Sequence, residues 1–395
     1  LKKKPQRIPI CPSAGFFPIH YAGHSMYKAM YDYDILAQAW RKYCADFAPD
    51  AYNSPMTIVP GRVLDILDFR LCKWPGHGVS KQHEYQYVEK EYMKAAEYQD
   101  LIDDPTGFFL NAFFPRIFGA LEPLERVPLL PPVNEIVCLP PALIPFGTKE
   151  MQSALTSLAE AGDETLSWIG AVRRINESVM STGFPSFSAG FTKAPFDVIG
   201  DTLRGTTGVL TDMYRHRDEL LEACERLTPF MIKSGVASCK AAGHIMPLIP
   251  LHKGGDGFMS DQQFRTFYWP TLRKLIIGLI NEGVVPLLFA EGGYNQRLEV
   301  ICDLPKGKTV WWFDRTDMDR AKQTVGQLAC IAGNVPVSLL ATGTPDDVKA
   351  YCKNLMDVAG KDGGFLFSTG AGMQGSKIEN VKAMIDFSKN YAEQV

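Results

Sequence analysis

The sequence predicts an α/β chain folded as a (β/α)8 TIM barrel, with an N-terminal irregular and helical extension covering the barrel mouth. Two observations predict it. From residue 151 onward, short apolar runs alternate with longer helical stretches, the rhythm of a parallel sheet with crossover helices. Several of those runs end abruptly in a carboxylate and turn residues: Val285–Ala290 gives way to Glu291-Gly292-Gly293, and Thr309–Phe313 to Asp314. A buried parallel strand delivers a polar group to the rim of a barrel in this way. The number of such units favours a closed barrel over an open sheet, and no Gly-x-x-x-x-Gly-Lys-[Ser/Thr] run marks a P-loop.

The elements follow in order. Residues 1–150 are aromatic-rich and broken by prolines, with helical stretches at Asp34–Phe47 and Glu84–Asp100. Val127–Pro145 carries six prolines and reads as an extended connector. Lys149–Val179 is helical, Pro185–Phe191 a strand, Leu210–Ala242 one long helical stretch and Ile245–Leu251 a strand. Asp261–Glu282 is helical, and strands follow at Val284–Ala290, Thr309–Phe313, Cys330–Asn334 and Gly364–Ser368. Helices at Asp319–Leu328, Asp346–Val358 and Ser376–Tyr391 complete the alternation.

Composition sets bounds on function. The chain has 395 residues, 46% hydrophobic and 22% charged, an ordinary globular balance with length for a large core. Residues 1–395 read as one barrel domain, with 1–150 as the extension and first barrel elements and 151–395 as the main barrel units. A net charge of −3 argues against nucleic acid or an anionic membrane surface as partner. Nine dispersed cysteines without a Cys-x-x-Cys pair read as reduced thiols, hence a cytoplasmic setting. No apolar run is long enough to span a bilayer, and no signal peptide is visible.

The block from Val285 to Met384 carries a resemblance. Its segments are Val285–Gly293, Lys308–Asp314, Gly333-Asn334-Val335-Pro336, Gly343–Val348, Phe365–Gly372 and Ile378–Met384. Their order and wording resemble the uroporphyrinogen decarboxylase superfamily, which includes corrinoid-dependent methyltransferases. The closest likeness in character is to members of the O-demethylase type. The resemblance is strong over residues 185–395, is traceable over 8–80, and implies a barrel with its site at the C-terminal strand ends.

The key positions depart from both chemistries of that superfamily. His20 and His24 stand where its decarboxylases carry carboxylate-binding arginines, and histidine cannot replace a bidentate guanidinium. Gly370-Ala371-Gly372 stands in place of Gly-His-Gly. These changes argue against uroporphyrinogen as substrate. The zinc-ligand positions of the methyltransferases fall on Phe289, Glu291, Asp314 and Ala371, so one acid is kept and the usual N and S donors are gone. Glu291, Asp314 and His252 are the catalytic candidates, and with His252 or His24 as the histidine they are also a set open to a divalent metal, zinc or another. His20, His24, Asp201, Asp256 and Tyr294 are the substrate-lining candidates. Asp201 falls on the family's substrate-contacting tyrosine, Asp256 lies in the glycine turn His252–Gly257, and Asp197 and Asp201 are also suited to cap a helix.

These positions imply a methyltransferase taking a methyl group from a small O-, N- or S-methylated compound, an aryl methyl ether among them. The acceptor is a corrinoid (cobalamin) carried by a separate corrinoid protein, since no Asp-x-His-x-x-Gly signature occurs here. The alternatives are a decarboxylase or lyase on a small non-tetrapyrrole acid, with Lys193, Arg204 or Lys253 binding its carboxylate, and a non-catalytic binding barrel. The resemblance also allows a homodimer.

Overall fold

A computed structural model describes residues 5–127 and 135–393. Part of the proline-rich connector, including Pro128, Pro131 and Pro132, lies outside the described residues. Three short strands lie in the N-terminal part: β1 (Cys72–Pro75), β2 (Gly78–Val79) and β3 (Gln86–Tyr87), in the order β2-β1-β3. Five longer strands follow: β4 (Leu248–Leu251), β5 (Leu287–Ala290), β6 (Val310–Phe313), β7 (Cys330–Val335) and β8 (Phe365–Thr369). They pair in parallel in chain order.

Three further segments close the ring. Ile10 bridges Phe367 of β8, and its carbonyl accepts the Asp50 N–H at 2.9 Å. Tyr52 bridges Ser186, and Phe191 bridges Leu248 of β4. Eight staves therefore meet edge to edge, which leaves no open sheet edge.

Side-chain alternation along the staves makes two separate cores. One apolar cluster contains Cys11, Phe187, Leu287, Val310, Trp312, Cys330 and Ala332, with Ala51, Leu248, Phe289 and Leu366 packed against it. It takes a residue from each of the eight staves, so it is the barrel interior. Their neighbours in sequence, such as Ile10, Leu288, Trp311, Phe313, Ile331 and Phe367, belong to the larger cluster beneath the helices.

Some expected elements differ. Glu84–Asp100 is not one helix: Gln86–Tyr87 pairs with Cys72 and Lys73, and α-helix begins only at Tyr98, after a 3-10 turn at Ala95–Glu97. The intervening chain is drawn out to dock on the barrel, with Met93 N–H donating to Leu203 O at 2.7 Å and Thr206 N–H to Glu89 at 2.5 Å. Leu210–Ala242 is two helices, Gly205–Arg215 and Arg217–Ala242, broken at His216. The run from Asp261 is interrupted by a π-helical turn at Phe264–Tyr268, and a second π turn spans Val198–Leu203. The spacing Gly370-Ala371-Gly372-Met373-Gln374-Gly375 is that of a dinucleotide turn. Here it follows a strand closed against Ile10, and the Met373 N–H bonds to Ser13 O, so the loop is tied across the seam of the barrel. Among the described residues, no helix is long and apolar enough to cross a membrane.

A largely buried ion cluster helps fasten the N-terminal extension to the barrel. Arg204, only 4% exposed, pairs with Asp212 at 2.6 Å, with Glu91 and with the Met93 carbonyl, while Tyr98 O–H donates to Asp212 at 2.7 Å. Removing one partner of such a pair strands a charge out of water. Arg204→Met is expected to cost about 3–5 kcal/mol, read as a lowered urea midpoint. A midpoint unchanged from the parent would show that the cluster does not fasten the extension.

Candidate active site

Register decides which side chains share the barrel mouth. Pro250 of β4 pairs with Phe289 of β5, and Phe289 with Trp312 of β6. Side chains alternate along each strand, so the residues two positions on, His252, Glu291 and Asp314, emerge at one level above that row. His252 Nε2 lies 3.5 Å from Glu291 Oε2 accordingly. All three stand at the C-terminal ends of their strands, the face where barrels of this type carry chemistry.

Asp201 reaches His252 from the other side. Its Oδ2 is 2.5 Å from His252 Nδ1 and 2.7 Å from Lys193 Nζ, and its Oδ1 is 3.2 Å from Lys253 Nζ. One carboxylate, 11% exposed, thus faces an imidazole and two ammonium groups. Asp201 bonds one ring nitrogen and Glu291 lies at ion-pair distance from the other, so a carboxylate faces each nitrogen of the imidazole.

Beneath this set lies Asp197, wholly buried. It accepts the backbone N–H of His252 and of Lys253, each at 3.0 Å, and the Tyr268 O–H at 2.7 Å. The expected capping role is not what Asp197 does. Pro195 starts the helix behind an Ala194 N-cap that offers no side-chain bond, which places Asp197 inside the first turn, aimed at the loop after β4. Asp201 follows four residues later on the π turn, on the same side of the helix. The glycine after Lys253 has its own reason: a Cβ on Gly254 would lie 2.5 Å from the Tyr294 hydroxyl and 2.7 Å from the Tyr268 ring.

Protonation follows from this geometry. Burial works to lower the His252 pKa, but the Asp201 hydrogen bond and the charges of Asp201 and Asp197 outweigh it, and the net shift is upward. Burial likewise opposes ionisation of Asp201, yet the His252 bond and Lys193 hold it well below the ordinary carboxylate range. For Asp197, burial and the Asp201 charge prevail and raise it to about 6. Burial raises Asp314 too, partly offset by the Gly292 N–H that its carboxylate accepts at 3.0 Å.

The other sequence candidates are placed as follows. Asp256 accepts the Gln296 N–H and lies 3.7 Å from buried Arg297, joining the loops after β4 and β5. Tyr294 is fully buried behind the rim, with its hydroxyl 3.4 Å from Leu251 O. His24 contacts Gln38 at 3.2 Å, and His20 lies in the last turn of the helix Phe17–Tyr21. Glu291 pairs with neither Arg297, held by Asp256 and Asp261, nor Arg315, which lies 3.7 Å from Asp314. Trp312 faces the interior, while Trp311 and Phe313 face the helices. Lys193, named only as a carboxylate binder in the decarboxylase alternative, and Asp197, expected at most to cap a helix, complete the cluster. The signal available for Asp197 was an acid set among Ala194, Pro195, Phe196, Val198 and Ile199.

The family model for uroporphyrinogen decarboxylase (URO-D) matches residues 145–391. The chain belongs to the uroporphyrinogen decarboxylase family. Curated relatives are more distant. A uroporphyrinogen decarboxylase of Azoarcus sp. (strain BH72) is 29% identical over 145 residues, 35% of this chain and 39% of that protein. One from Aromatoleum aromaticum is 29% identical over 136 residues, 33% of this chain and 37% of that protein. The chain thus aligns with about two-fifths of the length of these relatives. A solved structure described as a methyltransferase from Methanosarcina mazei shares the fold, with a TM-score of 0.62 and 16% identity, over 98% of this chain and 94% of that one.

The zinc expected of family methyltransferases does not fit the residues present. The positions carried across hold Phe289, Glu291, Asp314 and Ala371, which lack the nitrogen and sulfur donors that zinc favours. Glu291 is engaged with His252, and Asp314 with the Gly292 N–H. Among the described residues, no three His, Cys, Asp or Glu side chains gather into a metal-binding group.

Asp201→Asn tests the electrostatics. With the charge gone and burial intact, the His252 titration, followed by NMR, is expected to move down, below the ordinary imidazole value of about 6.5. A titration that stayed above the ordinary value would refute the proposed cause. In the parent, the stabilisation from charged His252 is present below about pH 6.5 and lost as pH rises through its raised folded value. That from Asp201 is present above about pH 3.9 and lost as pH falls through its depressed value.

Proposed function

We propose that this barrel transfers a methyl group from a small O-, N- or S-methylated compound to a corrinoid held by a separate protein, with His252 protonating the departing heteroatom. The observation that carries the reading is the His252 imidazole fixed between Asp201 and Glu291 at the barrel mouth. A methyl ether or amine is a poor electrophile because its leaving group departs as a strong base. Protonation at the heteroatom removes that barrier without a Lewis acid. The upward shift of the His252 pKa favours the acid form, and Asp201 stabilises it without taking its proton.

A corrinoid on a docked carrier protein would supply the nucleophile that accepts the methyl carbon. The carbon–heteroatom bond breaks with its electron pair going to the heteroatom, which takes the His252 proton. Glu291, half exposed at the rim, is placed to return a proton to the imidazole from water. Family membership and the fold shared with the Methanosarcina methyltransferase support this reading.

A second reading, decarboxylation of a small acid, is favoured by one observation: Lys193 and Lys253 stand together at Asp201, where they could also receive a substrate carboxylate. His252 would then protonate the carbanion left by CO2.

The test uses purified protein, free cob(I)alamin as acceptor and a panel of methylated donors, followed by loss of the reduced-corrinoid absorbance. His252→Gln is expected to lower the rate by about 100-fold or more. The parent rate should fall as pH rises through the His252 titration. Transfer at the parent rate by His252→Gln would exclude His252 as the acid. CO2 release from a small acid without methyl transfer would establish the second reading instead.

A further inference from the structure

The helix Gly205–Arg215 begins without a cap of its own: Arg204 stands at the N-cap, and its side chain accepts no bond from the first turn. The missing acceptor comes from the N-terminal extension. Glu89 takes the Thr206 N–H at 2.5 Å, and a carboxylate at that end of a helix also suits its dipole. Glu89 is the first of three alternate residues that run along the same stretch of chain. Glu91 pairs with Arg204, and the Met93 N–H donates to Leu203 O at 2.7 Å. Gly205 permits this close passage. Its φ is +67°, and a Cβ there would lie 2.9 Å from Lys90 O and 3.0 Å from Glu89 Oε1. The stretch so held directly follows the π turn Val198–Leu203, which carries Asp201.

Thr206 turns its hydroxyl toward the site. Lys253 Nζ donates to Thr206 Oγ1 at 3.0 Å and lies 3.2 Å from Asp201 Oδ1, with the Phe258 ring centroid 5.3 Å away. We propose that Glu89, on the extension, is a positioning residue for His252: by capping Thr206 it fixes the hydroxyl that holds Lys253, and so keeps Lys253 from drawing Asp201 away from the imidazole. A lysine ammonium is a compact charge on a flexible stem, so its acceptors decide where it stands. With Thr206 fixed, Lys253 is shared between a hydroxyl and Asp201 Oδ1, while Asp201 Oδ2 stays 2.5 Å from His252 Nδ1. With Thr206 released, Lys253 is free to close on Asp201 and compete with the imidazole for it. The extension thus reaches the acid through three contacts in series, Glu89 to Thr206, Thr206 to Lys253 and Lys253 to Asp201. The inference rests on the methyl-transfer reading for the role of His252, but its test is read on the imidazole itself.

The test follows, by NMR on the full chain, the downfield proton of the hydrogen bond from His252 Nδ1–H to Asp201, which needs no methyl donor. The parent is expected to show it. Glu89→Ala removes the cap, and Thr206→Val removes the acceptor of Lys253 at nearly equal size; each is expected to lose the signal or move it upfield. Glu89→Gln keeps an oxygen for the Thr206 N–H without the charge and should retain the signal. The double variant Glu89→Ala/Thr206→Val should match Thr206→Val alone, because both changes act through one contact. Circular dichroism identifies a variant that fails to fold, and where Glu89→Ala does so Thr206→Val carries the comparison. In the transfer assay Glu89→Ala should lower the rate about tenfold, with Glu89→Gln near the parent. A parent without the signal, an unchanged signal in folded Glu89→Ala, equal losses in Glu89→Ala and Glu89→Gln, or additive losses in the double variant would overturn the positioning role and leave methyl transfer standing. The expected NMR pattern with no transfer from any donor would keep the positioning role and discard the methyl-transfer reading.

Discussion

The parallel register of β4, β5 and β6 is the constraint on which the rest of the mouth depends. Because Pro250, Phe289 and Trp312 are paired, the next inward positions, His252, Glu291 and Asp314, are obliged to share a level. A slip of one residue on any strand would exchange the interior set for the helix-facing set and send its carboxylate or imidazole away from the mouth. Closure of the ring protects that register, since every stave has a neighbour on both sides. The site is thus a consequence of the same hydrogen bonds that make the barrel.

Register brings His252 to the mouth but does not fix its ring. That is done by a second layer anchored on Asp197, whose carboxylate takes two successive backbone amides after β4 and the Tyr268 hydroxyl. The donors satisfy its oxygens, yet burial and the nearby Asp201 charge still push its pKa upward, so it remains the less ionised of the two acids. Asp201 keeps its charge because it has an imidazole and two ammonium partners. Two carboxylates four residues apart on one helix therefore divide the work by their surroundings: one shapes the loop and the other charges the imidazole. Gly254 belongs to the same arrangement, since the tyrosines that close over Asp197 leave no room for a side chain there.

The later barrel was legible in the sequence because each strand from β4 to β8 is an apolar run stopped by turn residues. The third stave was read as the strand Pro185–Phe191 and pairs through bridges at Ser186 and Phe191, but the first two were not legible, because they pair through single bridges at Ile10 and Tyr52, too short for any periodicity to show. The stretch Glu84–Asp100 reads as helix on composition, but docking against Leu203 and Thr206 overrides that preference. At the site, His252, Glu291 and Asp314 were visible as strand-end groups, and Asp201 through the resemblance. Asp197 was passed over because its role is set by backbone amides 55 and 56 positions away, which no local pattern records. His20 and His24 gave the opposite difficulty: a conspicuous local pattern with no contact to the His252 cluster among the described residues.

The changes at the metal positions form one coherent exchange. A zinc site at a barrel mouth needs neutral or thiolate donors converging on a point, and the interior below it needs only to be dry. Replacing the first donor by Phe289 removes a ligand and extends the apolar interior up to the rim. Glu291, in the place of a cysteine, adds a carboxylate that pairs with His252 instead of joining a ligand set. The charges that favour the protonated imidazole lie on the β4 side of the mouth, on Asp201 and Asp197. A metal pulls electron density from the atom it binds wherever that atom lies around it, whereas an imidazolium delivers one proton along one bond direction. A site built on the second principle must hold its substrate in a single orientation.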